Sequence, residues 1–376
     1  MMYRIGFVGT GPDPEQPDTD GYAMAYRHAT GYRRLDDCDI VACADIVPEN
    51  AEAFARRQDV DAEHVYEDYR RMLERADVDV VSVCTPPSTH HDIVVGAARS
   101  GSVEAIHCEK PLATTWGDAQ EMVDVCEAEA VQLTINHQNR FGGPFTTARE
   151  LLESGRIGAL RRFEFGHTTL YDMGSHFFDL CHWFNDGTPA EWVLAQVDYT
   201  EENRMFGTHN ENQAIAQWHY ENGVYGLAST GRGDGFLDCL FRIVGTDGEM
   251  EIGGDGGALR LRRDGAGWRT VDTGGDGVWG PTGGTFGTIL RRVSDRLAER
   301  LEGPTFIERG IADAVDALGT DREPRLIARD ALPSQELIFA AWESVRRRGR
   351  VELPLEVTDN ALDSMVEEGE LLTSPQ

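Results

Sequence analysis

The chain has 376 residues, of which 40% are hydrophobic and 27% are charged, and these proportions are typical of a globular protein with about two domains. Its 65 acidic residues outnumber its 35 basic residues, and the formal net charge is −30. A surface this acidic repels nucleic acid and anionic membranes, so we expect neither as a partner.

The basic residues include a single lysine. Strong acidity with almost no lysine is typical of a halophilic protein, because concentrated salt screens the repulsion between like charges. An acidic mesophilic protein is the alternative, and it would stay folded at low salt.

Seven cysteines are scattered through the chain, mostly within apolar segments, and no Cys-x-x-Cys pair occurs. This distribution is typical of reduced thiols in a cytosolic protein. A strand is predicted close to the N-terminus with no signal-like segment before it, and no apolar run reaches membrane-spanning length. We therefore expect a cytoplasmic protein without a membrane partner.

The first third of the chain alternates apolar strands with helices. Such alternation predicts a parallel sheet that is covered by helices on both faces. The predicted strands are residues 3–8, 39–45, 78–84, 103–108 and 131–135, and the predicted helices are residues 22–35, 48–57, 89–100 and 115–130.

The pattern changes after a predicted helix at residues 144–153. Period-two stretches divided by glycine-rich or charged turns predict a mainly antiparallel sheet. The predicted strands are residues 160–165, 192–199, 213–220, 224–230, 237–244, 258–262 and 350–353, and the predicted helices are residues 285–302, 306–318 and 334–347. The tail from residue 358 is acidic and is expected to be mobile.

A glycine loop follows the first predicted strand. Gly9 and Gly11 are placed where a nucleotide-binding turn lets the backbone approach a pyrophosphate. An acidic insertion, residues 12–20, separates them from the next helix, so Ala25 takes the place of the third small residue of the motif. Asp45 then lies 20 positions later, at the end of the second strand, where an acidic residue binds the adenosine ribose and favours NAD over NADP. A tight turn followed by a solvated aspartate is the alternative.

The single lysine, Lys110, lies just after the predicted strand at residues 103–108. Arginine stays protonated in proteins, whereas a lysine can shift its pKa and transfer a proton. A lysine at a strand end, in a chain that otherwise uses arginine, indicates a catalytic task that arginine cannot perform. Chance retention is the alternative.

A second candidate site opens the predicted apolar helix near residue 175. Asp172 and His176 are four residues apart, so a helix brings both side chains to one face, and a carboxylate beside an imidazole prepares a general base. His176 could instead be a core histidine with Asp172 as the helix cap. A metal site with Asp179 and His182 is the third alternative, but His182 falls on another face and we expect no metal.

Six motifs together resemble the glucose–fructose oxidoreductase, inositol dehydrogenase and MocA-like (Gfo/Idh/MocA) oxidoreductase family over residues 2–357. They are VGTG at residues 8–11, CTPPSTHHD at 84–92, CEKPLA at 108–113, NHQNRF at 136–141, DMGSHFFDLCHWF at 172–184 and AWESVRRRGRVELPL at 341–355. Glu-Lys-Pro combined with Asp-x-x-x-His is the specific part of the resemblance.

The resemblance implies an α/β protein: a Rossmann domain with a doubly wound parallel sheet at residues 1–138, and an α/β domain with an open, mostly antiparallel sheet at residues 139–357. Residues 358–376 form the acidic tail. In the family that sheet often forms the oligomer interface, so we expect a homodimer or homotetramer. Carried over by position, Gly9 and Gly11 face the pyrophosphate, and Asp45 faces the adenosine ribose. Thr85, Pro86 and His90 line the nicotinamide half of the cofactor, and Glu109 faces the nicotinamide ribose. Lys110, Asp172 and His176 are the catalytic residues, and Arg140 lies near the substrate.

The expected function is NAD(P)-dependent hydride transfer to or from a secondary alcohol of a sugar, sugar acid or polyol bound between the domains. Two alternatives remain: an enzyme that uses tightly bound NAD transiently, such as an NAD-dependent glycosidase or sugar–sugar oxidoreductase, and a non-catalytic NAD-binding sensor. The chain departs from the family in its interrupted loop, and residues 168–171 replace the usual glycine pair before the Asp-x-x-x-His helix. These departures affect the expected pocket shape more than the chemistry.

Overall fold

The computed structural model describes residues 2–14, 23–255, 257–282 and 303–371. The chain divides into two compact units, one made of Met1–Asn136 with Ile307–Ala331 and the other of His137–Phe306 with Leu332–Gln376. The predicted helix at residues 285–302 and most of the acidic insertion lie outside the described residues. No helix in the described ranges is long and apolar enough to cross a membrane.

The first unit contains a six-stranded sheet in the order β3-β2-β1-β4-β5-β6, and all of its strand pairs are parallel. This is the strand order of a doubly wound dinucleotide-binding sheet, so the predicted fold class is confirmed. Its elements are β1 (Tyr3–Val8), α1 (Met24–Tyr32), β2 (Cys38–Ala44), α2 (Pro48–Gln58), β3 (Val65–Tyr66), α3 (Tyr69–Arg75), β4 (Val80–Val83), α4 (His90–Ala98), β5 (Ala105–Cys108), α5 (Trp116–Ala128) and β6 (Gln132–Ile135).

The helices bury aromatic side chains against this sheet. The Phe7 ring on β1 lies 4.8 Å from Phe54 of α2 and 5.9 Å from Tyr32 of α1, centroid to centroid. Apolar side chains buried on both faces explain why these strands have nearly continuous hydrophobic sequences. Strand β3 and helix α3 were not predicted, because two and seven residues are too short to show a period.

The second unit contains a nine-stranded sheet in the order β16-β15-β14-β13-β7-β12-β11-β8-β19, in which β19 is Val351–Glu352. Among its described strand pairs only β7–β12 is parallel, so the predicted, mostly antiparallel sheet is confirmed. Its elements are α6 (Gly143–Glu153), β7 (Leu160–His167), α7 (Asp172–Phe184), β8 (Ala190–Asp198), β9 (Arg204–Met205), β10 (Thr208–His209), β11 (Gln213–Tyr220), β12 (Tyr225–Gly231), β13 (Phe241–Gly245), β14 (Gly248–Gly254), β15 (Gly257–Arg263), β16 (Arg269–Thr270), β17 (Asp276–Gly277) and β18 (Gly280–Pro281). Strand β14 was missed because its glycines resemble a turn.

An aromatic core joins helix α7 to one face of the nine-stranded sheet. Phe165 of β7 stacks on Phe177 at 5.3 Å and meets Phe178 edge-on at 5.0 Å. Trp218 of β11 lies 4.9 Å from Phe178, and all four side chains are buried. Aromatic pairs with these geometries contribute more than their buried area alone, so the core holds the helix that carries Asp172 and His176 firmly on the sheet.

The last part of the chain contributes segments to both units. Helix α8 (Phe306–Ala317) packs from Ile307 onward in the first unit, where the Ile311 side chain is buried with Tyr32. The sequence predicted one continuous second domain at residues 139–357, and the structure differs by this return. The remaining elements are α9 (Leu332–Arg347), β19 (Val351–Glu352) and α10 (Ala361–Glu367).

The prediction that the tail from residue 358 is mobile is wrong for the residues of helix α10. The Asn360 side chain caps this helix by accepting hydrogen bonds from the backbone N–H groups of Leu362 and Asp363. Leu362 and Met365 are buried. The carboxylate of Asp363 also accepts from the Thr208 hydroxyl and the His209 N–H. An acidic composition therefore hid a helix with an apolar face.

Candidate active site

The glycine loop follows β1 as predicted. Gly9 and Gly11 have φ angles of +80° and +66°, in the left-handed region that favours glycine. A Cβ atom added at Gly9 would lie 2.4 Å from Thr85 Cγ2 and 2.9 Å from the Thr85 backbone nitrogen. No other residue fits there, because the loop after β1 passes directly against the loop after β4.

Asp45 lies at the end of β2 and is buried. Its Oδ2 atom accepts hydrogen bonds from the backbone N–H groups of Thr10 (2.8 Å) and Gly11 (3.0 Å) and from the Thr10 hydroxyl. Its Oδ1 atom accepts from the Val47 N–H at 2.9 Å. Asp45 thus sets the conformation of the glycine loop, a role that the sequence did not reveal. Its contact with a ribose stays a prediction.

Three predicted site residues lie after β4: Thr85 and Pro86 precede α4, and His90 is its first residue. Thr85 is half-buried and Pro86 is exposed. The His90 ring is buried, with Nε2 2.9 Å from the Thr85 carbonyl oxygen and Nδ1 3.0 Å from the Pro111 carbonyl oxygen. Burial lowers the pKa of His90, although the carbonyl oxygens oppose this effect. The ring joins the loop after β4 to the loop that follows Lys110.

Lys110 lies two residues after the end of β5 and is half-buried. Its backbone N–H donates to Glu109 Oε2 at 3.2 Å. The C-terminal ends of parallel strands are where α/β proteins bind ligands, and the structure places Lys110 at such an end. The predicted position of Lys110 in the Rossmann unit is therefore reproduced, while its catalytic role stays a prediction.

A buried polar cluster that sequence reasoning missed lies beside Lys110. His28 of α1 is fully buried, with Nε2 2.8 Å from Glu109 Oε1 and Nδ1 2.9 Å from Ser82 Oγ. The Asn136 amide donates to Glu109 Oε1 at 2.8 Å. Burial opposes a charge on His28, but Cys84 and Glu109 outweigh it and raise its pKa. Burial likewise opposes the carboxylate of Glu109, but His28 lowers its pKa.

One sequence signal could have revealed this cluster. His28 shares a helical stripe with Ala25, Ala29 and Tyr32, all of which are buried. A histidine on an apolar helix face needs a polar partner inside the protein. The sequence offers no means to name Glu109 as that partner, since the two residues are 81 positions apart.

In the second unit, Asp172 and His176 lie one helical turn apart on α7, as predicted. Asp172 is the first residue of the helix and is half-buried, whereas His176 is buried. The Thr169 hydroxyl accepts from the Asp172 N–H at 3.1 Å. The Thr169 hydroxyl therefore accepts a hydrogen bond at the N-terminus of α7. Asp172 is the first residue of the helix and not the N-cap that the alternative interpretation required.

Arg140 forms a buried ion pair with Asp179. Its Nε and Nη2 atoms donate to the two Asp179 oxygens at 2.8 and 2.7 Å, and both side chains are 3% exposed. His137 Nδ1 lies 3.8 Å from the same carboxylate, and the His137 ring meets that of His176 edge-on at 5.5 Å. The Asp179 carboxylate thus neutralises the charge of Arg140 and lies close to His137, whose ring contacts that of His176. Contact of Arg140 with a substrate stays a prediction.

Glu211 anchors the segment before α7, where the chain departs from the family. Its Oε1 atom accepts from the Leu170 N–H at 2.5 Å and from the Thr230 hydroxyl at 3.0 Å, and its Oε2 atom accepts from the Trp342 indole at 3.3 Å. Burial raises the pKa of Glu211, and these donors oppose the rise. Sequence reasoning missed this residue because nothing in its local pattern distinguishes it from a surface glutamate.

Metal-ligating side chains do not gather in the described ranges: no group of three or more His, Cys, Asp or Glu residues there could hold a metal ion. All seven cysteines lie within those ranges as free thiols, and five are buried.

The strand order and the glycine loop define the first unit as a dinucleotide-binding Rossmann domain. A model of the oxidoreductase family described by its NAD-binding Rossmann fold matches residues 18–137, and a model of the GFO/IDH/MocA C-terminal domain matches residues 162–251. The two matches together cover more than half of the chain. The protein belongs to the Gfo/Idh/MocA oxidoreductase family.

Two individual relatives and one solved structure are also similar to this chain. An uncharacterized oxidoreductase of Schizosaccharomyces pombe is 31% identical over 134 residues, which are 31% of this chain but only 36% of that protein. The myo-inositol 2-dehydrogenase of Thermotoga maritima is 22% identical over 271 residues, 68% of this chain and 74% of that protein. The crystal structure of an aldose-aldose oxidoreductase from Caulobacter crescentus shares the fold, with a TM-score of 0.72, 20% identity and coverage of 94% of this chain and 100% of the other.

Proposed function

We propose that the protein is an NAD-dependent dehydrogenase that oxidises or forms a secondary alcohol of a sugar or polyol. The observation that carries the proposal is the position of Lys110, the only lysine of the chain, at the C-terminal end of a Rossmann strand. The similarity to a myo-inositol 2-dehydrogenase supports this substrate class. A proton donor at such a strand end suits a reaction at an alcohol oxygen.

The residues of the first unit fit a dinucleotide. Gly9 lets the backbone come closer than any side chain permits, and Gly11 with Thr10 completes the turn that would hold the pyrophosphate. The Asp45 carboxylate would accept from ribose hydroxyls and would repel the phosphate of NADP. Ile46, the next residue, is 85% exposed and offers an apolar surface to an adenine ring. These features favour NAD over NADP.

Each catalytic residue has a distinct role in the proposed reaction. The nicotinamide ring, when bound, supplies the hydride acceptor or donor. His176 accepts the hydroxyl proton of the substrate, or relays it with Lys110, and Asp172 orients the imidazole. The Lys110 ammonium donates a hydrogen bond to the substrate oxygen and stabilises its negative charge as the proton leaves. In the reverse direction the same groups return the proton.

The paired state of Arg140 bears on the substrate class. Both carboxylate oxygens of Asp179 already accept from its guanidinium group inside the second unit. A sugar-acid carboxylate would have to compete with this buried partner, which is costly to disrupt. The arrangement therefore favours a neutral sugar or polyol over a sugar acid.

The test is a panel of sugars, sugar acids and inositols with NAD and NADP in molar KCl, followed by nicotinamide absorbance. Lys110→Arg should leave NADH binding within about twofold and lower turnover at least about 100-fold, because proton transfer and oxyanion stabilisation contribute gains of this size. Arg71→Lys, an exposed exchange on α3, is the control and should change neither. Normal turnover in the Lys110 variant would remove the basis of the proposal.

Two other outcomes have defined meanings. Cofactor that copurifies and never exchanges would indicate an enzyme that uses NAD transiently, such as a glycosidase or a sugar–sugar oxidoreductase. Binding of NADH without turnover on any substrate would indicate a sensor. The measurement that separates them is the nucleotide content of the purified protein together with its exchange against labelled NAD.

The open face of the nine-stranded sheet is the surface proposed for self-association. Leu194, Ile215 and Tyr225 share this face and are 44%, 52% and 40% exposed. Beside them Arg242 and Arg260 pair with the buried Glu251. An exposed apolar patch beside charges that are already paired within the chain suits an isologous interface, in which two copies present the same face to each other. A homodimer or homotetramer in a halophilic cytoplasm is the assembly and location that we propose.

A further inference from the structure

A short connection, residues 168–171, joins β7 to α7 and ends directly before Asp172, the first residue of the helix. The Thr169 hydroxyl accepts a hydrogen bond from the Asp172 N–H at 3.1 Å, and the Thr169 carbonyl oxygen accepts one from the Gly174 N–H at 3.0 Å. A Cβ atom added at Gly174 would lie only 2.8 Å from that carbonyl oxygen. The connection therefore sets the position of the first turn of α7.

Glu211 fixes the middle of this connection. Its Oε1 atom accepts from the N–H of the buried Leu170 at 2.5 Å and from the Thr230 hydroxyl of β12 at 3.0 Å. Its Oε2 atom accepts from the Trp342 indole of α9 at 3.3 Å. The Trp342 ring also lies 5.8 Å from the ring of Tyr171, centroid to centroid. One carboxylate and one indole thus hold the two residues that precede the helix.

The backbone around Glu211 is itself held in place. The Thr208 hydroxyl and the His209 N–H donate to the Asp363 carboxylate of α10 at 2.8 and 2.7 Å. The Asn203 side-chain amide donates to the Glu211 carbonyl oxygen at 3.1 Å. Thr208 and Glu211 are both fully buried. A backbone held in this way leaves the length of the Glu211 side chain to decide where its carboxylate meets the connection.

Either the charge of Glu211 or its length could matter at this place. Each of its three donors is an uncharged group, and burial raises the pKa of Glu211 although these donors oppose the rise. A buried charge without a cation among its donors gains no ion pair that would offset its desolvation. The arrangement therefore makes the reach of the side chain to the Leu170 N–H the feature that matters.

We propose that Glu211 is a positioning residue for Asp172: by holding the Leu170 N–H, it fixes the turn from which Asp172 orients His176. This inference rests on the proposed function, because it takes Asp172 and His176 as catalytic residues. It also gives the C-terminal helix α10 an indirect part in catalysis, since that helix holds the segment that carries Glu211.

Two substitutions separate length from charge. Glu211→Asp keeps the charge and shortens the side chain by one methylene, so the carboxylate should withdraw from the Leu170 N–H. Turnover should fall at least about tenfold with KM within about threefold, because a misplaced orienting group slows the chemical step more than it weakens binding. Glu211→Gln removes the charge and keeps the length. Its amide oxygen can still accept from Leu170 and Thr230, and kcat should stay within about threefold of wild type.

Trp342→Phe is the control for a merely structural role. It removes the longest of the three hydrogen bonds to Glu211 and leaves the bond to Leu170 in place. The urea midpoint should fall, while kcat should stay within about twofold of wild type. If kcat instead follows the urea midpoint across the three variants, Glu211 is only a structural residue and the inference is overturned. Low turnover in a folded Glu211→Gln protein would overturn it as well, because charge would then matter more than length.

A spectroscopic measurement needs no turnover. In protein labelled with ¹³C on its histidine rings, the His176 signal is identified by its loss in His176→Gln. That signal should shift in Glu211→Asp and coincide with the wild-type position in Glu211→Gln. An unmoved signal in Glu211→Asp would overturn the inference. Absence of turnover in the wild type would refute the proposed function, and the comparison of signals would still decide whether Glu211 positions the first turn of α7.

Discussion

The backbone N–H of Thr10 donates a hydrogen bond of 2.8 Å to the Asp45 carboxylate, across 35 positions of sequence. Because the Gly11 N–H donates to the same oxygen, one side chain both shapes the glycine loop and places a negative charge beside it. The end of β2 therefore controls both the geometry and the electrostatics of the proposed cofactor site.

Asp45→Asn keeps an acceptor oxygen and removes the charge. NADH binding should weaken about tenfold, since a charge-assisted hydrogen bond is lost, and the preference for NADH over NADPH should narrow. Fluorescence titration with both nucleotides measures the ratio. Asp39→Asn, an exposed exchange on the same strand, is the control. An unchanged ratio in the Asp45 variant would count against its role in cofactor choice.

Arg140→Ala should destabilise the second unit strongly. The Asp179 carboxylate would be left buried without its bidentate partner, at a cost of about 3–5 kcal/mol. Arg232→Ala breaks an exposed pair with Glu201, whose side chains are 55% and 73% exposed, and should cost about 0–1 kcal/mol. Urea unfolding followed by circular dichroism compares the two. Equal shifts of the unfolding midpoint would refute the prediction that the buried pair contributes more to stability than the exposed pair.

Asp79 should contribute stability that disappears in acid. Hydrogen bonds from Arg4 lower its pKa below 3.8, although burial opposes them. Its ionised form is therefore favoured by folding, so the contribution is present above the unfolded pKa and is lost as pH falls through the folded pKa. Asp79→Asn should lower the urea midpoint at neutral pH, and the gap to wild type should narrow below about pH 4.

Asp77 offers the matched control for that experiment. It pairs with the same arginine, Arg4, at 2.9 Å, but its side chain is 90% exposed, against 16% for Asp79. Asp77→Asn should leave the urea midpoint nearly unchanged at every pH, because solvent screens an exposed pair. A gap between the Asp79 variant and wild type that stays constant down to low pH would contradict the assignment.

Ile215→Asp should reduce the mass of the assembly measured by light scattering. The side chain lies on the open face of the nine-stranded sheet and is 52% exposed, so a carboxylate there would be buried in the proposed interface without a partner. Met2→Asp, at a similarly exposed apolar residue of the first unit (55%), is the control. A wild-type mass for the Ile215 variant would exclude this face as the interface.

Salt should stabilise the protein more than an uncharged osmolyte does. With a net charge of −30, like charges repel across the folded surface, and about 2 M KCl screens them to within a few ångströms. The melting temperature should rise steeply between about 0.1 M and 2 M KCl. Sucrose at matched water activity is the control. Equal effects of salt and sucrose would favour the acidic mesophilic alternative.

Local pattern was sufficient to predict most of the elements and the places of several proposed site residues on them. The strands of the first sheet are buried on both faces, so their apolar runs are visible in sequence, and the i, i+4 spacing alone places Asp172 and His176 one turn apart. Gly9 and Lys110 were recognisable from their positions after strands. The helix of the C-terminal tail was missed because it has only seven residues, too few to show a clear period, in a tail whose charged residues are all acidic.

Pairing between distant positions could not be predicted. His28 meets Glu109 across 81 positions, Glu211 meets Leu170 across 41, and Arg140 meets Asp179 across 39. Each of these side chains alone resembles an ordinary core histidine or surface charge. Their partners depend on which strand ends and helices pack together, and burial alone makes an unpaired charge too costly to leave without a partner.

The sequence by itself determined the alternating apolar strands of a parallel sheet, the acidic surface and the residue types at the strand ends, because these follow from side-chain period and composition within a short window. Only the tertiary structure decided that Asp45 shapes the glycine loop, that Glu109 is bound from inside by His28 and that α8 returns to the first unit. The physical reason is that a hydrogen bond or ion pair needs two groups within about 3–4 Å, and packing sets that distance between residues far apart in the chain.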